Sequence, residues 1–395
     1  MAKVILQRKR KKRLELGHPW VFQSEVADIQ GEFEPGDIVD VYNHQHHFLG
    51  KGYINPNSQM IVRILSYNEE EQIDEAFFKR RIEQAWAHRQ RFIPDVRSCR
   101  AIYGESDFLP GFIVDKYEDV LVVQILSLGI ELRKEWLLSG LLEVFNPKAV
   151  FLRNDVYVRE LEGLTQEKGF WYGESETEIE IEENGVKYIV DIKDGQKTGF
   201  FFDQRQNRAA IKPLIDENST VLDCFTHTGS FALNACLYGA KDVTAVDISE
   251  HAIETTKRNA ELNEVTGKMN YVVANAFDFL RDSVKEEKKW DVVIVDPPAF
   301  AKSRHAVKKA LGGYKDINLN GMKLVKDGGF FVTASCSFHV HGDMFQEMVK
   351  KAALDAGKVL RQIYWDGAGY DHPELLAAEE GDYLKFAIYE VHSRN

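Results

Sequence analysis

Hydrophobic positions change period several times along the chain, and each change marks a different kind of element. Between 17 and 65 they come in short alternating runs: Trp20-Val21-Phe22, Ile38-Val39-Asp40-Val41-Tyr42, Phe48 to Ile54, and Ile61-Val62-Arg63-Ile64-Leu65. Gly, Pro and Asn separate them, which predicts short strands closed into a compact barrel. From 73 to 92 the spacing turns helical through Phe77, Phe78, Ile82, Ala85 and Trp86, and stops before Pro94. Strand-like runs follow at 101–103, 111–114 and 120–126. A helix is predicted over 131–145, closed by Asn146-Pro147, with more strands at 149–152 and 177–181. This middle stretch reads as a mixed α+β segment without a catalytic constellation. Asn154, Asp155 and Arg159 could touch RNA, but read first as surface loop residues.

A different pattern organises the C-terminal half. The apolar pair Val221-Leu222 ends in Asp223, a turn (Phe225-Thr226-His227-Thr228-Gly229-Ser230) follows, and an apolar helical stretch runs over 231–238. Gly239 stops that stretch, and a second strand over 243–246 ends in Asp247. This is a β-turn-α-β unit, the opening of a doubly wound sheet, in which ligands sit beyond the carboxyl ends of the strands. An amphipathic helix over 250–263 and a strand over 271–274 lead to Asn275-Ala276-Phe277-Asp278. There Asp278 either shares in ligand binding or caps a helix over 279–284. A strand over 290–295 ends in Asp296-Pro297-Pro298-Ala299-Phe300, and one over 328–334 runs into Ser335-Cys336-Ser337. Asp223, Asp247, Asp296 and Cys336 are thereby placed on one edge. Charge at adjacent strand ends is costly to bury unless it is used.

The turn is not a dinucleotide fingerprint, which needs three spaced glycines to cradle a pyrophosphate; only Gly229 lies in it. A ligand without a pyrophosphate fits better, and Asp247 suits the two hydroxyls of a ribose. The pattern resembles the cofactor site of class I S-adenosylmethionine-dependent methyltransferases. That resemblance assigns the methionine part of the cofactor to Asp223, Phe225, Thr228, Gly229 and Ser230, and the ribose to Asp247 with Ile248. The adenine falls to Asn275, Ala276 and Phe277, with Asp296 beside the cofactor. At Asn275 the family usually carries Asp; Asn still offers an acceptor. The run Lys197-Thr198-Gly199-Phe200-Phe201-Phe202-Asp203-Gln204-Arg205-Gln206-Asn207-Arg208 resembles a segment that closes over the cofactor in a group of RNA methyltransferases, which adds Phe202, Gln204 and Arg205. An alternative reading of that run is a helix start with a hydrophobic staple.

The N-terminal order G-H-P-W-V-F, P-G-D-I-V-D-V, G-K-G-Y-I-N-P, V-R-I-L resembles a PUA domain, an RNA-binding β module. D-P-P-A-F resembles the base-contacting motif of nucleic-acid methyltransferases. Cys336 bears on which atom accepts the methyl. C5 of a pyrimidine is a poor nucleophile, and a thiolate adding to C6 makes it an enamine carbon; cysteine suits that step. A nitrogen acceptor needs no thiol. Together with Asp371-His372-Pro373 and Gly381-Asp382-Tyr383-Leu384-Lys385, these motifs resemble bacterial ribosomal RNA cytosine-5 methyltransferases of the PUA-containing, single-cysteine type. The resemblance implies Cys336 and Asp296 as catalytic residues, S-adenosylmethionine as cofactor and large-subunit ribosomal RNA as partner. Ala299 stands where two-cysteine relatives carry another thiol. Cys224, inside the turn, reads as packing. Two rival readings remain: a methyltransferase acting on a guanine or adenine nitrogen, and a non-catalytic RNA-binding assembly factor.

At 395 residues the chain exceeds one typical domain. We expect a PUA-like domain at 1–70, an α+β domain at 71–190 and an α/β methyltransferase domain at 191–395. The net charge of −12 does not announce a nucleic-acid binder, so the distribution of charge matters more. Residues 1–13 hold Lys3, Arg8, Lys9, Arg10, Lys11, Lys12 and Arg13 and no acid: a phosphate-seeking patch or a solvated tail. Four cysteines without a C-x-x-C pair argue against zinc and disulfides and for the reducing cytoplasm. No apolar run approaches the roughly 20 residues of a membrane span. A homodimer is compatible with the sequence.

Overall fold

The computed structural model describes residues 1–394, and the chain divides into two compact units. The first comprises 1–181, 190–202 and 370–381; the second comprises 182–189, 203–369 and 382 to the C-terminus.

The first unit opens with a six-stranded sheet. Lys3–Leu6 lies in its interior, antiparallel to Val26–Gln30 and parallel to Ile38–Tyr42. Val4, Ile5 and Leu6 are buried, and Val4 and Leu6 join Val21, Val39, Val41, Ile54 and Ile64 in one core. This corrects the reading of residues 1–13 as one basic stretch: the continuous apolar run Val4-Ile5-Leu6 is buried as a strand ahead of the charge run. Only the segment after Leu6 is a loop, exposing Arg8, Lys9, Lys11 and Lys12. Arg10 is held there by Glu15 at 2.6 Å.

A five-stranded sheet follows, in the order Lys168–Gly173, Ala149–Arg153, Val120–Ile125, Phe112–Tyr117, Ser98–Tyr103. The helices Glu75–Phe92 and Lys134–Phe145 share its core through Phe77, Phe78, Ile82, Leu137 and Leu141. Asp74 caps the first of them by accepting from Phe77 N at 2.8 Å. Asn154 and Arg159 are not surface residues: both are buried. Asn154 Oδ1 accepts from Ile125 N, and Arg159 pairs with Glu131 and donates to Thr165 O. A polar cluster that reads as a loop is here used to satisfy buried backbone groups. Asp371 and His372 also lie in this unit, buried, with Asp371 accepting from the Arg100 backbone N–H.

The second unit is an α/β domain. Its seven strands are β1 (Thr220–Cys224), β2 (Asp242–Asp247), β3 (Met269–Val273), β4 (Trp290–Val295), β5 (Val325–Ser335), β6 (Lys358–Asp366) and β7 (Lys385–Ser393). Their order is β3-β2-β1-β4-β5-β7-β6, with β1 to β5 parallel and β7 antiparallel to both neighbours. The helices are α1 (Arg205–Ala210), α2 (Ser230–Leu237), α3 (Glu250–Leu262), α4 (Ala276–Lys285), α5 (Val307–Leu324) and α6 (Gly342–Asp355). The strand order reverses between β1 and β4, where a ligand crevice opens in a doubly wound sheet. Val221, Leu222, Val292, Val293, Ile294 and Val295 are fully buried, as expected of strands covered on both faces. β6 escaped the sequence reading because it carries Lys358, Arg361, Gln362 and Asp366 among its apolar residues.

Candidate active site

The pairing register brings the sequence-predicted acids to one edge. Asp223 lies level with Ala245 of β2 and Ile294 of β4, and Cys224 with Val246 and Val295. Asp247 and Asp296 therefore stand one residue beyond Cys224 on either side of β1. The turn after β1 bends sharply: Phe225, His227 and Gly229 all have positive φ, at 64°, 53° and 83°. For the two non-glycine residues this is a costly backbone region that persists only where the surroundings impose it. At Gly229 a Cβ would lie 2.6 Å from Thr256 Cγ2, so the glycine lets the turn close on α3.

Hydrogen bonds fix the turn to both acids. Asp247 Oδ2 accepts from His227 N and Oδ1 from Ser249 N, each at 2.9 Å. Asp223 Oδ2 accepts from Thr226 Oγ1 at 2.6 Å and Ala232 N at 3.1 Å. Its Oδ1 is buried without a partner. Burial, and then the neighbouring charges of Asp296 and Asp247, push the Asp223 carboxyl up to about 7 against the pull of these hydrogen bonds. Ile248 is 69% exposed. Cys224 is fully buried in the sheet core, and burial holds its thiol well above the usual range, so it is packing.

Beyond β3, Asn275 caps α4 by accepting from Phe277 N at 2.9 Å, with Ala276 buried behind it. The helix starts three residues earlier than expected, which removes the capping alternative for Asp278. Phe277 is half-buried, 6.3 Å from the Phe225 ring and 5.8 Å from the Phe300 ring.

The aromatic-polar run before β1 does not act as one group. Phe202 belongs to the first unit, buried against Tyr117 and Phe200. Arg205, in the second unit, is buried against Glu183 at 3.2 Å, beside the Arg208–Glu183 pair at 2.6 Å. Gln204 reaches the strand edge: its Nε2 donates to Asp296 Oδ2 at 3.0 Å, while its Oε1 accepts from Asn207 Nδ2 at 2.7 Å. Asn207, from the same run, is fully buried and also donates to Gly367 O.

Cys336 follows β5, the neighbour of β4, and is half-buried, with its sulfur 3.9 Å from Pro297 O. Ser337 ties this corner together. Its Oγ accepts from Ala301 N at 3.1 Å and lies 2.8 Å from Tyr314 Oη. The loop after Asp296-Pro297-Pro298, helix α5 and the Cys336 backbone thus share one hydroxyl.

Family models match at two places: a PUA-like domain over residues 4–67 and an S-adenosylmethionine-dependent methyltransferase over 166–359. A curated relative from Alteromonas mediterranea, ribosomal RNA large subunit methyltransferase I, is 40% identical over 393 residues, covering 99% of both chains. The Escherichia coli O139:H28 protein of that name is 38% identical over 388 residues, covering 97% of this chain and 98% of its own. The chain belongs to the ribosomal RNA large subunit methyltransferase I family. A solved structure from Streptococcus mutans, described as that of a SAM-dependent methyltransferase, superposes with a TM-score of 0.82 at 19% identity, covering 99% of this chain and all of its own. It shares the fold.

The cofactor of this family is S-adenosylmethionine. The residues on the edge of the sheet fit it: the buried Asp223 Oδ1 and Thr228 Oγ1 have no partner within the protein, and both are suited to the ammonium and carboxylate of a methionine. Among the described residues no helix is long and apolar enough to cross a membrane.

Proposed function

We propose that this protein methylates C5 of a cytosine in large-subunit ribosomal RNA, with Cys336 as the nucleophile. The observation that carries the reading is the meeting of Cys336 with the Asp296-Pro297-Pro298 turn at the edge that also holds Asp223 and Asp247. The relatives' name supports ribosomal RNA as substrate, and the PUA-like match supports an RNA-docking role for the N-terminal segment.

In this reading Asp223, Phe225, Thr228, Gly229 and Ser230 hold the methionine part of the cofactor. Asp247, flanked by the exposed Ile248, accepts from the ribose hydroxyls with the lone pairs its two backbone donors leave over. Asn275, Ala276 and Phe277 border the adenine; Asn275 Oδ1 retains an acceptor site beside its capping bond. Bound there, S-adenosylmethionine supplies an electrophilic methyl group. The target cytosine leaves its stack, as bases acted on by enzymes must. The Cys336 thiolate adds to C6, Asp296 hydrogen-bonds the N3 side, and C5 becomes the nucleophile. Once C5 has taken the methyl group, a base removes the C5 proton, and the C6–S bond breaks with its electron pair returning to the Cys336 sulfur. Arg205 bears on the site through its ion pair with Glu183, which holds the residue next to Gln204 in place. We assign the segments 1–70, 71–190 and 191–395 to RNA docking, a central α+β module and catalysis.

RNA carrying 5-fluorocytosine tests this directly. Fluorine cannot leave as the proton does, so wild-type protein with S-adenosylmethionine is expected to form an SDS-resistant adduct that Cys336→Ala does not form. Near wild-type methylation by Cys336→Ala would remove the C5 reading in favour of a ring or amino nitrogen as acceptor.

A further inference from the structure

We propose that Lys385 is a positioning residue for Cys336, whose ammonium both anchors the backbone that aims the thiol and favours its ionised form. The proposal rests on the cytosine-5 reading for its purpose, and on the following geometry for its content.

Lys385 begins β7, and in the antiparallel pairing its Cα stands opposite Ser335, the residue before Cys336. Its side chain is buried, with 2% of the residue exposed. Nζ donates to Ser337 O at 2.9 Å and to Tyr383 O at 2.7 Å. Ser337 is the residue after Cys336. The lysine therefore grips the Ser335–Ser337 corner from the neighbouring strand, with the cysteine between its two points of attachment. An ammonium is costly to bury, and two neutral carbonyls do not neutralise it. The titratable groups facing it are Asp382 and Cys336. Burial pushes Lys385 down to about 8, while Asp382 and Cys336 hold it up. Around the thiol itself stand the Tyr314 phenol from α5, raised by burial and hydrogen-bonded to Ser337, and the Pro297 carbonyl after β4. Tyr314 and the carbonyl bring no positive charge. At neutral pH Lys385 does, and a cation beside a cysteine favours the thiolate. The step assisted is an ionisation: the Sγ–H bond breaks, the proton passes to solvent, and the electron pair stays on sulfur.

Alkylation of Cys336 by iodoacetamide across pH 6 to 10 tests this without RNA. Cys99, Cys224 and Cys236 are buried, and Cys336→Ala supplies the background rate. Lys385→Gln keeps N–H donors for the two carbonyls but removes the charge. It is expected to raise the pH of the alkylation inflection by about one unit, a roughly tenfold slower reaction at neutral pH. Lys385→Arg, which keeps the charge, is expected to restore the wild-type inflection. Binding of S-adenosylhomocysteine serves as the check that each variant is folded. An unchanged inflection in Lys385→Gln, or an arginine variant that behaves like the glutamine one, would overturn the proposal. The 5-fluorocytosine adduct is scored separately. A shifted inflection without an adduct would keep Lys385 in this role and remove the carbon-methylation reading.

Discussion

Gln204 Nε2 lies 3.0 Å from Asp296 Oδ2, which joins the segment before β1 to the end of β4. Gln204 is itself buried and oriented by Asn207. An amide that donates to a carboxylate fixes where its other oxygen points. We expect Gln204→Ala to lower kcat about tenfold, the scale of one hydrogen bond to a charged group, with cofactor affinity little changed. Single-turnover methylation beside calorimetry separates the two quantities, and a full-rate variant would show that Asp296 needs no such support.

Asp223 predicts a pH dependence of known sign. An unfolded aspartate ionises near about 3.9, whereas burial and two neighbouring acids raise this one to about 7. The native state keeps a proton that the unfolded chain has lost over that interval. Its contribution to stability is therefore complete below about pH 4 and is lost as pH rises through about 7. The melting temperature of Asp223→Asn, without ligand, should fall less between about pH 5 and 8 than that of the wild type. Cofactor binding should move the other way, because the methionine ammonium favours the carboxylate: wild-type affinity should rise from about pH 6 to 8 and that of the variant should not. Parallel curves for the two proteins would refute the assignment.

Asp247→Ala should weaken S-adenosylmethionine binding about tenfold or more, because two ribose hydroxyls lose a charged acceptor. The turn should loosen as well, since His227 N and Ser249 N lose their partner. Isothermal calorimetry on the folded variant measures the first effect. Asp247→Asn separates the second, because its amide oxygen can still accept from one of the two donors.

The N-terminal loop should supply salt-sensitive RNA affinity. Arg8, Lys9 and Lys12 are the residues to replace with Gln, because Arg10 is already engaged by Glu15. Each lost phosphate contact should flatten the log–log salt slope by about one unit, with cofactor binding unchanged. Equal slopes for variant and wild type would leave this loop without an RNA contact.

Much of the site was legible because it is local. β1, the turn and β2 are contiguous, and the period-two and helical patterns around them do not compete. Asp223, Asp247 and Asp296 could be set on one edge because parallel strands of a doubly wound sheet carry their ligand sites at carboxyl ends. The same reasoning put Cys336 beside Asp296. The sequence also determined that Cys224 packs in the sheet, since an apolar strand buried on both faces leaves its last residue little else to do.

Tertiary structure decided what depends on residues far apart in the chain. Glu183 draws Arg205 and Arg208 into a buried cluster, and Asn207 turns Gln204 toward Asp296; no spacing rule encodes either partnership. Asn154 and Arg159 look like loop polarity, but Ile125 and Glu131 need their donors and acceptors in the interior. Lys3–Leu6 is a strand because neighbours on both sides pair with it, although its own sequence leads into a run of cations. Lys385 reaches the carbonyl of Ser337 only because β7 returns antiparallel beside β5. Periodicity records which face of an element is buried; which polar groups meet across that burial is fixed only once the strands are in register.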